Sequence, residues 1–362
     1  MKYTAVMGNP PYTRAATDDA SRGAVPIYQI FFLLAAELGN HSSIISPGRW
    51  MKSPKGEMRA IRKTLQEGVF RIPELHFMDE DVFTEVIIRG GVTWYLNATG
   101  HQGSTNFHQN LKFVKQAPLF DSTGTISFDR IAEIRDAIKL IHRQPKATNK
   151  LLKNWITPPS NFSKVDGFNN DAYFKNSTST RQSPSDIKMR MTNGSWRYFS
   201  PKSLPKDSYI PLDACGFGFA GCSSNSLGTI NDRSMVLSGG ESTKGTVAVI
   251  LPSLPQTANF YKYARTKFFA TLCLGRLSSH NAYPQTYQDI PMFSFTENDP
   301  LNWSLSIPEI DEQLIAHFGL EDYREYILSA SKPYARALGQ EYLDRLTEAN
   351  VDTSRINEWY DD

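Results

Sequence analysis

The stretch VMGNPPYTR (Val6–Arg14) decides how the rest of the chain is read. KYTAVMG (Lys2–Gly8) is a short strand that runs into a glycine and then a Pro-Pro pair. Proline has no amide hydrogen for a ladder and fixes its own φ, so the strand must stop there and hand over to a rigid loop. The loop stands only seven residues after Met1. Whatever it does, it does from the carboxyl end of a strand, which is the ligand-binding edge of an open α/β sheet.

Working outward, a polar, glycine-containing loop (residues 13–23) leads to a helix over Pro26–Leu38, with Pro near its first turn. SSIIS (Ser42–Ser46) reads as a buried strand closed by PGRW. GEMRAIRKTLQEG (Gly56–Gly68) is amphipathic, with Met58, Ile61 and Leu65 on one face. PELHFM and FTEVIIRGGVTWYLNA supply two or three further strands that close as a hairpin. Strand and helix alternating in this way predict an α/β fold, the second half of a Rossmann-like, doubly wound sheet, over residues 1–100.

From Gly100 the texture changes, and residues 101–362 are expected to form a loop-rich α+β domain. A helix is predicted over Phe128–Arg143, followed by an Asn-, Ser-, Thr- and Pro-rich region to about Pro205. Short strands follow at SWRYFS, SYIPLD and GTVAVILPS. One long helix is expected over Ala258–Leu277 and a last helical stretch over Ile310–Glu348. No internal repeat is visible.

Composition sets outer bounds. The 362 residues hold two ordinary domains, and 40% hydrophobic with 21% charged residues is a globular balance, so real cores are expected. The longest apolar run, IYQIFFLLAAEL (Ile27–Leu38), is too short to span a bilayer, and no signal peptide is read at the amino end. Three cysteines, Cys215, Cys222 and Cys273, have no CxxC spacing, which argues against a disulfide framework or a zinc site, and a cytoplasmic location is expected. A net charge of +2 neither demands nor excludes nucleic acid. His76, His101, His108, His142, His280 and His317 show no HExxH or paired ligand spacing, so no metal is expected.

The chemistry of NPPY is more specific. An exocyclic amino nitrogen such as adenine N6 is a poor nucleophile because its lone pair is delocalised into the ring. Acceptors placed on its two hydrogens localise that pair. The side-chain oxygen of Asn9 and the carbonyl of Pro10 can both accept, in a loop held by Pro10 and Pro11. Tyr12 can stack on a base rotated out of a duplex. Methyltransferases acting on protein glutamine or RNA guanine use a similar loop, so these four residues alone do not name the substrate.

Read in order, VMGNPPY, PIYQIFFLLAAEL, SIISPGRW and FTEVIIRGGVTWYL resemble the second half of the Eco57I-like N6-adenine DNA methyltransferases of restriction-modification systems. FYKYARTKFFATLCLGRL, HNAYPQTYQDIP and PEIDEQLIAHFGLEDYREYI resemble the end of that family's target-recognition region. The resemblance implies a partial catalytic domain at residues 1–100 and a target-recognition domain at 101–362. It makes Asn9, Pro10, Pro11 and Tyr12 the catalytic loop, puts Arg49 and Trp50 along the same pocket, and matches Gly90 and Gly91 to a pair beside the last strands. It also implies S-adenosyl-L-methionine as donor and double-stranded DNA as partner.

Family members carry their Gly-rich donor loop ahead of the NPPY strand, and this chain begins too late to contain one. PLDACGFGFAG (Pro211–Gly221) has GxGxxG spacing at Gly216, Gly218 and Gly221, but no helix follows to place its amino end on a ligand, so it is set aside. The expectation is therefore a truncated or split enzyme, with a separate polypeptide as one source of the donor-binding half. The alternative is a catalytically silent DNA-binding specificity subunit. In the recognition region Lys262, Arg265 and Arg276, with Lys267 displaced from them, are the candidate phosphate contacts.

Overall fold

A computed structural model describes residues 2–14, 25–52, 58–68, 71–78, 82, 91–120, 126, 131–142, 151–152, 156–157, 177–190, 195–204, 210, 214–220, 235–237, 239–243, 246–274, 284–329, 344 and 347. The chain divides into two units, Met1–Ala132 and Glu133–Asp362.

The first unit is built on β1 (Tyr3–Gly8), which ends where Pro10 and Pro11 forbid further pairing. A small antiparallel pair, β2 (Thr13–Arg14) and β3 (Val25–Pro26), follows the loop. Helix α1 (Tyr28–Leu38) then returns the chain to β4 (Gly39–Ile44), which lies parallel to β1 in the register Tyr3↔Gly39 to Gly8↔Ile44. This is a βαβ unit. Tyr28, Phe32 and Ala35, at helical spacing, bury one stripe of α1. Short elements β5 (Ser46–Pro47), α2 (Arg49–Lys52) and α3 (Met58–Gln66) lead to β6 (Glu74–Met78) and β7 (Val92–Ala98), which pair antiparallel. Two more strands, β8 (Thr105–Gln109) and β9 (Lys112–Ala117), extend the sheet past residue 100.

Among the described residues the strand order is β1-β4-β7-β6-β8-β9, with β5 also on β7, so the sheet is mixed. The expected α/β sheet is present. Its core gathers Phe32, Trp50, Leu75, Tyr95 and Phe107. Gly91, just before β7, has φ +72°, and a Cβ there would lie 2.3 Å from Phe77 Cε2 and 2.5 Å from the Met78 carbonyl oxygen. Only glycine fits that turn. Gly90 and the FTEVIIR stretch lie outside the described residues.

The second unit carries α4 (Ile131–His142) from Glu133 onward and two small sheets. One pairs β10 (Ile156–Thr157) with β17 (Thr246–Leu251), then β14 (Cys215–Ala220) and β15 (Met235–Leu237), all antiparallel. The other orders β11 (Ser177–Thr178), β13 (Trp196–Phe199), β12 (Ile187–Arg190) and β16 (Glu241–Thr243).

The expected long helix at 258–277 is two helices, α5 (Leu254–Ala264) and α6 (Lys267–Leu274). They part because a second amino terminus is capped in place. Thr266 Oγ1 accepts from Phe269 N at 3.1 Å, and the Asp311 carboxylate accepts from Lys267 N and Phe268 N, each at 2.8 Å. Asp311 belongs to α7 (Ile307–His317), so one helix caps another. The final helical stretch is also broken, by Gly319 at φ +61°, before α8 (Arg324–Ser329). Phe260, Tyr263, Phe269, Phe295 and Trp303 form the centre of this unit's core, largely through edge-to-face contacts.

Candidate active site

The loop Asn9–Tyr12 leaves β1 with Asn9 and Pro11 exposed and Pro10 and Tyr12 half-buried. Two backbone bonds anchor it: Ile45 N donates to the Gly8 carbonyl at 3.0 Å, and Ile27 N donates to the Tyr12 carbonyl at 3.1 Å. Within it, the Tyr12 hydroxyl donates to Asn9 Oδ1 at 2.8 Å. In this arrangement the Asn9 amide turns its oxygen to the phenol, with Tyr12 as the donor. An amide oxygen has two lone pairs, so one remains for an incoming donor. Partial burial pushes the Tyr12 phenol above its ordinary pKa, which keeps it protonated and donating.

Behind the loop runs an aromatic series that composition alone did not single out. The Tyr12 ring meets Tyr28 edge-on at 6.5 Å, Tyr28 packs on Phe32 at 6.3 Å, and Phe32 packs on Trp50 at 5.3 Å and Tyr95 at 4.7 Å. The apolar periodicity of α1 was the available signal for Tyr28 and Phe32. It marks them as core, and here that core is the wall on which Tyr12 rests.

Trp50 is fully buried. Its Nε1 donates to Thr93 Oγ1 at 3.0 Å, and Thr93 Oγ1 donates in turn to the Ser46 carbonyl at 3.2 Å. As packed, Trp50 supports the loop through Phe32 and Tyr28 and offers no surface to a base. Arg49 opens α2, but its side chain lies outside the described residues.

In the second unit Lys262 and Arg265 are drawn inward. Lys262 Nζ donates to the carbonyls of Trp303 (3.1 Å) and Leu305 (3.2 Å), and Arg265 donates to the Tyr261 hydroxyl at 3.1 Å, with 7% and 2% of their surfaces exposed. Both serve packing here, because α5 is surrounded by core on the side that carries them. Lys267, the first residue of α6, is half-buried, and Arg276 lies outside the described residues.

Gly216, in the glycine-rich stretch set aside above, sits in β14 with a hypothetical Cβ 2.4 Å from Ile210 Cδ1 and 2.9 Å from the Val249 carbonyl oxygen. Its smallness accommodates Ile210 and the neighbouring strand, so it does not fit a donor cradle. Pro211–Asp213 and Gly221 are outside the described residues. Among those described, none is assigned to the methyl donor. Nor is any described helix long and apolar enough to cross a membrane.

Three comparisons bear on this geometry. No curated protein matches the chain. Among solved structures, the Type IIL restriction-modification enzyme MmeI in complex with DNA is similar at 11% identity and TM-score 0.41, over 98% of this chain and 57% of that one. The type IIG restriction endonuclease BpuSI is similar at 10% identity and TM-score 0.35, over 96% and 53%. The ATP-dependent Type ISP restriction-modification enzyme LlaBIII bound to DNA is similar at 8% identity and TM-score 0.32, over 68% and 24%. This chain therefore spans little more than half of the first two and a quarter of the third. The sequence model of one family matches the amino-terminal segment: residues 1–83, which hold the Asn9–Tyr12 loop and the βαβ unit behind it, are similar to the Eco57I restriction-modification methylase model.

Proposed function

We propose that the protein is the part of a site-specific N6-adenine DNA methyltransferase that holds the catalytic loop and the target-recognition region, with S-adenosyl-L-methionine as donor. The observation that carries this is Asn9 at the carboxyl end of β1, its oxygen oriented by the Tyr12 hydroxyl at 2.8 Å, inside the segment that matches the methylase family.

In this reading the target adenine leaves the duplex and lies over the ring of Tyr12 with its amino group at Asn9. Its amino hydrogens go to the free lone pair of Asn9 Oδ1 and to the Pro10 carbonyl, which localises the N6 lone pair for attack on the methyl carbon. Tyr12 keeps the Asn9 amide from rotating and lends its ring as a stacking face. The donor-binding elements supply a further strand that pairs along β1. That strand ends the sheet among the described residues and leaves Tyr3 and Met7 largely exposed.

The test is made in the source cell, where any second polypeptide is present. Genomic DNA from a strain with Asn9→Ala at the native locus is compared with wild type for N6-methyladenine. Loss of the modification in one sequence context is expected. An unchanged modification pattern refutes the catalytic role. Salt-sensitive duplex binding by a chain that never supports methylation would instead identify a specificity subunit.

A further inference from the structure

On the face of the first unit's sheet that turns away from its core, we propose that Glu74, His76 and His108 form a site for a divalent transition-metal ion of the zinc type. Side chains alternate along a strand. Leu75 on β6 and Phe107 on β8 point into the core. Glu74, His76, Asn106 and His108 therefore share the opposite face. β6 and β8 are parallel neighbours in the register Glu74↔Asn106 and His76↔His108, which sets the two imidazoles side by side. One donor atom from each of Glu74, His76 and His108 lies within 4.8 Å of the other two.

The surroundings are those of a ligand set held in place. Glu74 Oε2 lies 2.8 Å from His108 Nε2, and Asn106 Nδ2 donates to Glu74 Oε1 at 2.6 Å. Gln116 on β9 donates to Asn106 Oδ1 at 3.1 Å, so an outer chain of amides orients the carboxylate. His76 is stacked between Trp94 (5.0 Å, planes 6° apart) and His108 (4.3 Å, 15°). Its Nδ1 is buried without a hydrogen-bond partner among the described residues. Leaving a buried polar nitrogen unsatisfied is costly, and a Lewis acid at the cluster relieves the cost.

Two imidazoles and one carboxylate suit zinc and its neighbours rather than magnesium or calcium, which prefer oxygen alone. Three protein ligands leave a fourth position open. With Glu74 and His108 partly exposed, at 34% and 21%, that position faces water. Tetrahedral bonds of about 2.0–2.1 Å put ligand atoms roughly 3.3 Å apart. The Glu74 Oε2–His108 Nε2 pair, now 2.8 Å apart, must open to admit the ion, and the stacked imidazoles must reorient with it. Metal binding thus disturbs the Trp94–His76 stack.

The full chain, stripped with chelator, is titrated with zinc chloride by calorimetry and with cobalt(II) by visible absorption. One equivalent should bind, with cobalt bands of a nitrogen- and oxygen-ligated tetrahedral ion and quenching of tryptophan emission that is reduced in Trp94→Phe. His108→Asn and Glu74→Gln, checked for folding by circular dichroism, should each lose at least about tenfold in affinity. His41→Asn, an exposed control whose Nδ1 lies 3.2 Å from the Thr4 carbonyl, should bind as wild type does. Absence of stoichiometric binding at tens of micromolar protein overturns the proposal. So does an equal loss in His41→Asn, or a thiolate-to-cobalt band, which would place the ion on cysteine. The cobalt spectrum of the unaltered chain decides the matter even if a variant does not fold.

Discussion

Asp311 offers the most quantitative test of how the second unit is held together. It is 2% exposed, and its two oxygens accept the first two amides of α6, at 2.8 Å each. Removing the carboxylate in Asp311→Ala leaves the buried Phe268 N–H and the half-buried Lys267 N–H without this acceptor, at about 1–3 kcal/mol for the first and less for the second, so a loss of about 2–4 kcal/mol is expected. Burial raises the Asp311 pKa from 3.8 to about 7, against the pull of the two amides and of Lys267. A folded-state pKa above the unfolded one means the folded protein binds more protons between those values, so stability falls as pH rises through that window. The full span is about 4 kcal/mol, complete above pH 7 and absent below pH 4. Asp311→Asn, which cannot ionise, should flatten this contribution while keeping one acceptor. Urea unfolding of wild type and Asp311→Asn between pH 4 and pH 8 measures the difference. Hydrogen exchange of a peptide spanning 265–274 reports locally, and Asp311→Ala should lose protection at Lys267 and Phe268. Parallel pH profiles for wild type and Asp311→Asn, or unchanged protection in Asp311→Ala, would refute the capping argument.

Tyr12→Phe keeps the ring and deletes only the hydroxyl that orients Asn9, one hydrogen bond of about 1 kcal/mol, so N6-adenine methylation in cells should slow about fivefold. A loss as complete as that of Asn9→Ala would show that the hydroxyl acts on the substrate itself. Lys262→Met should lower thermal stability, by about 2–4 kcal/mol, because the carbonyls of Trp303 and Leu305 lose their shared donor. Its duplex affinity, measured by fluorescence anisotropy against salt, should keep the wild-type slope. A shallower slope at unchanged stability would return Lys262 to the DNA interface.

How much of this was legible depends on the range of the interactions. NPPY announces its own geometry, because two prolines and a preceding strand constrain the chain within a few residues. The apolar stripe of α1 and the βαβ rhythm are equally local, and both elements stand where periodicity put them, with α1 starting at Tyr28. The break between α5 and α6 was not legible. Thr266 is the one local cap in YKYARTKFFAT, too weak a signal by itself to break a helix, and the rest of the cap comes from Asp311, more than forty residues on.

Charge was the least reliable guide. A helical projection places Lys262 and Arg265 near one side but cannot say whether that side meets water, and both found buried oxygen partners instead. The histidines make the same point in reverse. By spacing, His76 and His108 are unrelated, with thirty-one residues between them. The sequence by itself therefore determined the strand, the rigid loop and the helix behind it, because those follow from the conformational limits of neighbouring residues. Tertiary structure alone decided that Tyr12 holds Asn9 against an aromatic wall, that Asp311 caps a distant helix, and that β6 and β8 bring Glu74, His76 and His108 together. Strand register and helix contacts depend on every layer of the core at once, and no local pattern encodes them.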